Sequence, residues 1–288
     1  MTTMQGKICL ITGGTNGIGK STAQALAQMG ATVVIVGRNA QKTSQVVDEI
    51  RTATRNPNVD ALVADLSSQQ DVRRLVGEFK SKYPRLHVLL NNAGAMFWTR
   101  RLTTDGLETT FALNHLAPFL LTNLLLDTIK ASAPARIINL SSRAHQRGRI
   151  DFEDLQSERH YAGMDVYGNS KLANILFTIE LARRLDGARV TVNAVHPGFV
   201  NSGFAKNNDG LAFKLFGVIG PLIARSPEKG AETSVYLASS PEVEGVTAKY
   251  FADSRITQTA PQAADAGAAK RLWEVSAELV HLATPVAA

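Results

Sequence analysis

"TGGTNGIGKSTAQAL" occupies residues 12–26, directly after the apolar run "KICLIT" (7–12). Gly13, Gly17 and Gly19 form a G-x-x-x-G-x-G series between a strand pattern and a helical one. Glycines in that setting allow a tight turn and let backbone N–H groups and the helix N-terminus approach a pyrophosphate. In this strand–loop–helix context the series reads as a dinucleotide signature. Lys20 falls inside the helix, which sets the loop apart from triphosphate loops whose lysine ends the turn.

The pattern continues outward from this unit. Apolar, β-branched runs at 7–12, 32–36, 59–64, 87–92, 135–141 and 189–195 alternate with helical patterns at about 18–29, 40–54, 69–83, 107–130 and 161–186. A seventh strand near 248–252 follows a helix at about 227–239. Runs apolar on both faces suit a parallel sheet covered by helices, and strict β-α alternation predicts a doubly wound α/β sheet of about seven strands. No low-complexity linker breaks the chain, so 1–288 reads as one domain. The stretch 199–225 interrupts the rhythm and mixes glycines with Phe204, Phe213, Phe216 and Ile219. It lies beyond a strand's carboxyl end, where open α/β sheets bind ligands. An apolar lid and a packed helical hairpin both fit it.

The end of the second strand reads "VIVGRN", with Gly37 and Arg38 where an acid would bond the ribose 2′-hydroxyl of NAD. Arginine's permanent, planar charge suits a 2′-phosphate, which points to NADP; pairing with a surface acid is the alternative. Net charge is +6, from 31 Lys+Arg against 25 Asp+Glu. The basic residues are scattered apart from "RAHQRGRID" (143–151) and Arg100–Arg101. That fits a solvated surface attractive to an anionic cofactor, and no aromatic platform supports nucleic-acid binding. No histidine stands in metal-ligand spacing, so no metal site is expected. The single Cys9 lies in an apolar run and reads as a buried thiol. No secretory pattern or run of about 18 apolar residues is evident, and a cytoplasmic protein is expected.

"VYGNSKLAN" (166–174) places Tyr167 and Lys171 four residues apart, about one helical turn, on one helix face. Alone, that pair could be a surface turn with a snorkelling lysine.

Taken together, "TGGTNGIG", "NNAG" (91–94), "NLSS" (139–142), "YGNSK" (167–171) and "HPG" (196–198) resemble the short-chain dehydrogenase/reductase family over nearly the whole chain. The helix start "GIGKSTAQALA", the long Ser142–Tyr167 segment and the C-terminal "SPEKGAETSVYLASSPEVEGVTAKYF…AKRLWEVSAELV" resemble its retinol-dehydrogenase-like branch. The resemblance implies a Rossmann-type fold and an NADP(H)-dependent enzyme interconverting an apolar alcohol and its aldehyde or ketone. It assigns Ser142, Tyr167, Lys171 and Asn114 to catalysis. Gly13, Gly17 and Gly19 would hold the pyrophosphate, with Ile18 beside them in the cofactor loop. Arg38 would meet the 2′-phosphate, which Thr15 and Asn16 could also touch, and Asp65 with Leu66 the adenine. Asn91, Ala93 and Gly94 would line the cleft, Tyr167 and Lys171 would reach the ribose, and Pro197, Gly198, Val200 and Ser202 would lie against the nicotinamide. Ser202 stands where the family usually has threonine. Branch members often carry an N-terminal anchor; the first strand here starts at once, so none is expected there.

Chemically, a carbonyl that receives hydride needs a proton, and the Tyr167 phenol would give it. A lysine one turn away is expected to lower the phenol's value, and Ser142 to bond the substrate oxygen. The residues between them are expected to be small because substrate and ribose crowd that face. The competing reading keeps the cofactor site and loses turnover, as a redox-sensing binding module; the intact catalytic set argues against it. The family also implies a dimer or tetramer.

Overall fold

The computed structural model describes residues 3–200 and 225–282. The segment 201–224, with Ser202 and the phenylalanines of the lid-or-hairpin question, lies outside the described residues.

Strands β1 (Ile8–Thr12), β2 (Thr32–Gly37), β3 (Val59–Val63), β4 (Val88–Asn91), β5 (Ala135–Leu140), β6 (Val190–His196), β7 (Tyr250–Ala252) and β8 (Arg255–Ile256) form one sheet in the order β3-β2-β1-β4-β5-β6-β7-β8. All pairings are parallel except β7 with β8. The eighth strand is the difference from the expected seven: a two-residue return after a turn through Asp253 and Ser254, both at positive φ. It is too short to show any period in sequence.

Period-2 alternation sorts the strand side chains to two cores. Leu10, Val34, Leu62, Leu89, Ile137 and Val192 face one, while Cys9, Ile11, Val33, Ile35, Val88 and Val195 face the other. Cys9 is fully buried, and desolvation pushes its thiol up to about 12, so it packs and does not react.

Helices α1 (Gly17–Gln28), α2 (Ala40–Thr54) and α6 (Pro227–Ser239) cover the Cys9 face; α3 (Gln69–Lys82), α4 (Ala117–Lys130), α5 (Gly163–Arg184) and α7 (Ala266–Leu279) cover the other. Capping residues mark most helix starts: Asn39 accepts from Lys42 N at 2.8 Å, Ser68 from Asp71 N at 3.3 Å, Ser226 from Lys229 N at 3.3 Å and Asp265 from Ala268 N at 2.9 Å. A π-helical turn, Ala112–Leu116, leads into α4. With that turn and Thr109–Phe111, α4 forms a 22-residue helix long and apolar enough to cross a membrane, and most of its apolar window is buried in the core.

Helix α7 lies beyond the helical patterns expected from the sequence, although its Ala269, Leu272, Trp273, Ser276 and Ala277 follow helical spacing and are buried. Trp273 meets Phe119 edge-on at 4.9 Å, and Arg184 lies 4.2 Å over its ring. It therefore ties the C-terminal region to α4 and α5.

The strand order reverses direction at β1: β2 and β3 lie to one side, β4 onward to the other. Carboxyl ends of β1 and β4 flank a crevice at that point, the usual ligand position for such sheets.

Candidate active site

At the β1 end of the crevice, shape dominates. Gly13 is at φ +65°, and a Cβ there would come within 3.0 Å of Ala93 Cα. A Cβ on Gly19 would collide with the Gly13 carbonyl and reach 2.5 Å from Asn92 Nδ2. Only glycine lets α1 start this close to β4. Asn16, the N-cap of α1, makes no side-chain cap bond, and the first turn holds no acid. The α1 N-terminus therefore keeps N–H groups available for an anion, and Gly17 and Ile18 lie buried behind it. Thr15 flanks the loop half-buried. These features fit a pyrophosphate. Residues 14–21 also spell G-x-x-x-x-G-K-S, the pattern of triphosphate loops. Geometry excludes that role: Lys20 lies in α1 and pairs with Glu49 of α2 at 2.5 Å.

Asn92 holds the loop in place, a role its sequence position does not announce. Its amide donates to Thr12 O at 2.8 Å and Gly13 O at 3.2 Å, while its backbone N–H donates to Thr12 Oγ1 at 2.9 Å. Its neighbour Asn91 does not line the cleft by its side chain, contrary to expectation. Strand alternation turns that side chain into the sheet, where it donates to Thr122 Oγ1 at 3.0 Å and Asn139 Oδ1 at 2.8 Å. Ala93 and Gly94 continue the loop at intermediate exposure.

On the β2 side, Arg38 is exposed at the strand's end. A Cβ on Gly37 would press into Thr43 Oγ1 and come 2.5 Å from Thr15 Cγ2. Gly37 is small to let β2 touch the glycine loop. Asp65 is exposed after β3 and accepts from Ser67 N and Oγ at 2.9 and 2.7 Å, while Leu66 is buried.

The β4–β6 end is built from buried and half-buried side chains. Helix α5 presents Tyr167 and Lys171 on one face, with Lys171 Nζ 5.5 Å from the tyrosine ring centre. Lys171 is 2% exposed and donates to Leu140 O at 3.1 Å. Desolvation lowers it to about 7. Tyr167 is raised to about 12 by burial, opposed by a hydrogen bond with Ser142. The expected lowering by Lys171 is absent: the amine lies over the ring face, and burial raises the phenol.

Ser142 follows β5, and its hydroxyl accepts from Ala144 N at 3.2 Å, capping the 3₁₀ turn Arg143–Arg147. Asn114 sits in the π turn, fully buried. Its Oδ1 accepts from Ala95 N at 2.8 Å, and its Nδ2 donates to Ala95 O at 2.9 Å and Ser170 Oγ at 3.0 Å. That amide braces the loop after β4, at Ala95, against α5. A Cβ on Gly94 would lie 3.0 Å from Asn114 Oδ1 and 3.4 Å from Lys171 Nζ, so the loop closes directly on both.

The small residues between Tyr167 and Lys171 have a different cause from the one expected. A Cβ on Gly168 would lie 3.0 Å from Ala144 O, Asn169 Oδ1 accepts from Arg149 N at 2.7 Å, and Ser170 meets Asn114. Gly168 and Asn169 dock the loop after Ser142 onto α5, and Ser170 docks the π turn.

At the end of β6, His196 Nδ1 accepts from Arg143 N at 3.3 Å, and burial lowers the ring to about 4. Pro197 and Gly198 follow; Gly198, at φ +83°, turns the chain against Arg225. Val200 pairs with Arg225 across an isolated bridge, and Arg225 is ion-paired with Asp253. Trp98, Met164 and Phe199 are about half exposed (45, 52 and 55%), on the loop after β4, at the start of α5 and on the loop after β6. All three lie on segments at the carboxyl edge of the sheet.

A parallel sheet with the 3-2-1-4-5-6 order, a glycine loop at its switch point and a Tyr–Lys pair beside a serine define a nucleotide-dependent oxidoreductase fold. Residues 7–210 match the family model of the short chain dehydrogenases, and the chain belongs to that family. It is 45% identical to retinol dehydrogenase 12 of Mus musculus over 277 residues, covering 96% of this chain and 87% of that one. A crystal structure of a Mycobacterium Paratuberculosis protein superposes with a TM-score of 0.80 at 30% identity, covering 99% of this chain and 97% of the other. The Pseudomonas aeruginosa RhlG/NADP active-site complex superposes with a TM-score of 0.69 at 28% identity, over 86% and 95% of the two chains. The chain is thus an oxidoreductase of the retinol-dehydrogenase-like branch, of the kind that acts on CH–OH groups.

Proposed function

We propose that this protein reduces an apolar aldehyde or ketone, or oxidises the matching alcohol, with NADP(H), and that Tyr167 transfers the proton. The observation that carries the reading is the meeting of Ser142, Tyr167 and Lys171 at the sheet's carboxyl edge, across the crevice from the open N-terminus of α1. When bound, the nicotinamide supplies or accepts the hydride.

The chain's own groups do the rest. Gly13, Thr15, Asn16, Gly17, Ile18 and Gly19 would hold the pyrophosphate, and Lys171 the ribose. Pro197, Gly198 and Val200 would lie along the nicotinamide, with Ser202 beyond the described residues. Tyr167 Oη gives its proton to the substrate oxygen, and Ser142 Oγ donates a hydrogen bond to the same oxygen as charge grows there. Protonated Lys171 stabilises the phenolate left behind. Burial holds the Lys171 amine well below an ordinary lysine, at about 7, so it gives up its proton far more readily. The half-exposed Trp98, Met164 and Phe199 favour an apolar substrate, and the retinol-dehydrogenase relative points to a long, unsaturated one.

Two things support NADP(H): Arg38 follows Gly37 where an acid would favour NAD, and the Pseudomonas aeruginosa neighbour holds NADP. The test is a panel of carbonyls, from short aldehydes to retinal, scored by loss of NADPH and NADH absorbance. Turnover with long apolar carbonyls and NADPH is expected. Tight NADPH binding with no turnover across the panel would instead establish the sensing module.

A further inference from the structure

Ser142 is tied to a part of the chain more than a hundred residues away. Its carbonyl accepts from His145 Nδ1 at 2.7 Å, and His145 Nε2 accepts from Ala260 N at 3.1 Å. A backbone N–H can only donate, so the ring is neutral with its proton on Nδ1. His145 is fully buried and meets Tyr250 of β7 edge-on, with ring centroids 4.9 Å apart. Two residues past Ala260, Gln262 Nε2 donates to Gln146 O at 3.3 Å and Gly148 O at 3.1 Å. The segment after β8 thus grips the turn after Ser142 along its length, and His145 is the contact that reaches the serine itself.

We propose that His145 is a positioning residue for Ser142: it fixes the serine turn to Ala260, so the C-terminal part of the chain sets where the serine hydroxyl points. The proposal rests on the reading of Ser142 as the group that meets the substrate oxygen. A ring that merely fills space beside Tyr250 could be replaced by phenylalanine without kinetic effect. A hydrogen-bonding strut could not.

Three variants separate these roles. His145→Phe keeps the ring and loses both bonds. His145→Asn can place an amide nitrogen near the Nδ1 position and keep the bond to Ser142 alone. His145→Gln can place an oxygen near the Nε2 position and keep the bond to Ala260 alone. With retinal and NADPH, kcat should fall about tenfold or more in His145→Phe and several-fold in His145→Asn and His145→Gln. The NADPH Kd should stay within about twofold of wild type in all three, because the glycine loop is untouched. Wild-type kcat in His145→Phe would overturn the proposal, and wild-type kcat in His145→Asn would overturn the part played by the Ala260 tie. A second readout is independent of turnover: amide hydrogen exchange at Ala144 and Ala260, which should speed up together in His145→Phe. Unchanged exchange at Ala144 would overturn the proposal even where no substrate turns over, whereas absent turnover in wild type with coupled exchange would count against the catalytic reading alone.

Discussion

The two ends of the crevice use different physics. At the β1–β2 end, backbone and shape hold the site: Gly19 and Gly37 have no room for a Cβ, Gly13 turns at positive φ, α1 starts without a side-chain cap, and the polar groups that reach outward, Arg38 and Asp65, are exposed. At the β5–β6 end the site is built from side chains that are buried (Lys171, Asn114) or half-buried (Ser142, Tyr167, His196), and desolvation moves proton affinities: Lys171 down to about 7, Tyr167 up to about 12 and His196 down to about 4. A binding surface for phosphates needs close backbone approach and solvent-facing charge. A proton-transfer site needs groups whose charge is held in balance by burial. Substitutions at the first end should therefore change what binds, and at the second end what happens after binding.

Tyr167→Phe should break the second end most. The ring stays, the proton donor goes, and kcat should fall by about a hundred- to ten-thousand-fold. Stopped-flow assay under saturating NADPH and retinal reads it; retention of more than half the wild-type rate would remove Tyr167 from the mechanism.

Gly19→Ala should break the first end. The new methyl overlaps the Gly13 carbonyl and Asn92, and overpacking of that kind costs about 1–3 kcal/mol. If the loop opens to relieve it, NADPH affinity drops about ten- to a hundredfold. Cofactor fluorescence titration measures the loss, and an unchanged Kd would show that the loop does not cradle the phosphates.

Arg38→Ile sharpens the same end at a smaller scale. Losing one charged hydrogen bond, about 1.5–3 kcal/mol, should cut NADPH affinity by tenfold or more and leave NADH nearly unaffected. Adding an aspartate at Gly37 is a poor companion change, because its Cβ would displace Thr15 and Thr43. Equal losses for both cofactors would mean that Arg38 supports the fold and not the 2′-phosphate.

A different kind of effect, on stability and not on binding or turnover, appears against pH without cofactor. Lys171 has a folded value near 7 against 10.5 for an ordinary lysine, so the unfolded chain binds more protons between those values. Stability from this group therefore rises as pH goes from about 7 towards 10.5. Tyr167 acts oppositely above 10, since the folded phenol keeps its proton up to about 12. Melting temperature should climb between about pH 7 and 10 and then fall, and Lys171→Met should flatten the climb by an amount on the order of a few kcal/mol. A climb of the same size in Lys171→Met would assign it to other groups.

Much of the fold is written in local sequence. The strand–glycine–helix unit and the β-α alternation depend on neighbours within a few residues, and so does the four-residue step from Tyr167 to Lys171. What is not legible depends on distant partners. Asn92 and Thr12 are 80 residues apart and His145 and Ala260 are 115 apart; the helical spacing of α7 is local, but its place against Phe119 and Arg184 is not. The small residues after Tyr167 stand out in sequence, where substrate crowding looks like their cause. Their partners are the loop after Ser142 and Asn114, which no spacing rule reveals. Asn91 fails for a simpler reason: in a strand, adjacent side chains point to opposite faces, and its neighbour Asn92 is the one at the glycine loop.

Separate labour at the two ends is the central claim, and a double-mutant comparison tests it most directly. NADPH Kd and kcat for retinal reduction would be measured in wild type, Arg38→Ile, Tyr167→Phe and the double variant. The account predicts that Arg38→Ile raises Kd at least about tenfold with little change in kcat, that Tyr167→Phe lowers kcat at least about a hundredfold with Kd within about twofold, and that the double variant shows the sum to within about 0.5 kcal/mol. A Tyr167→Phe variant that loses NADPH affinity in step with turnover, or a double variant far from additive, would contradict it.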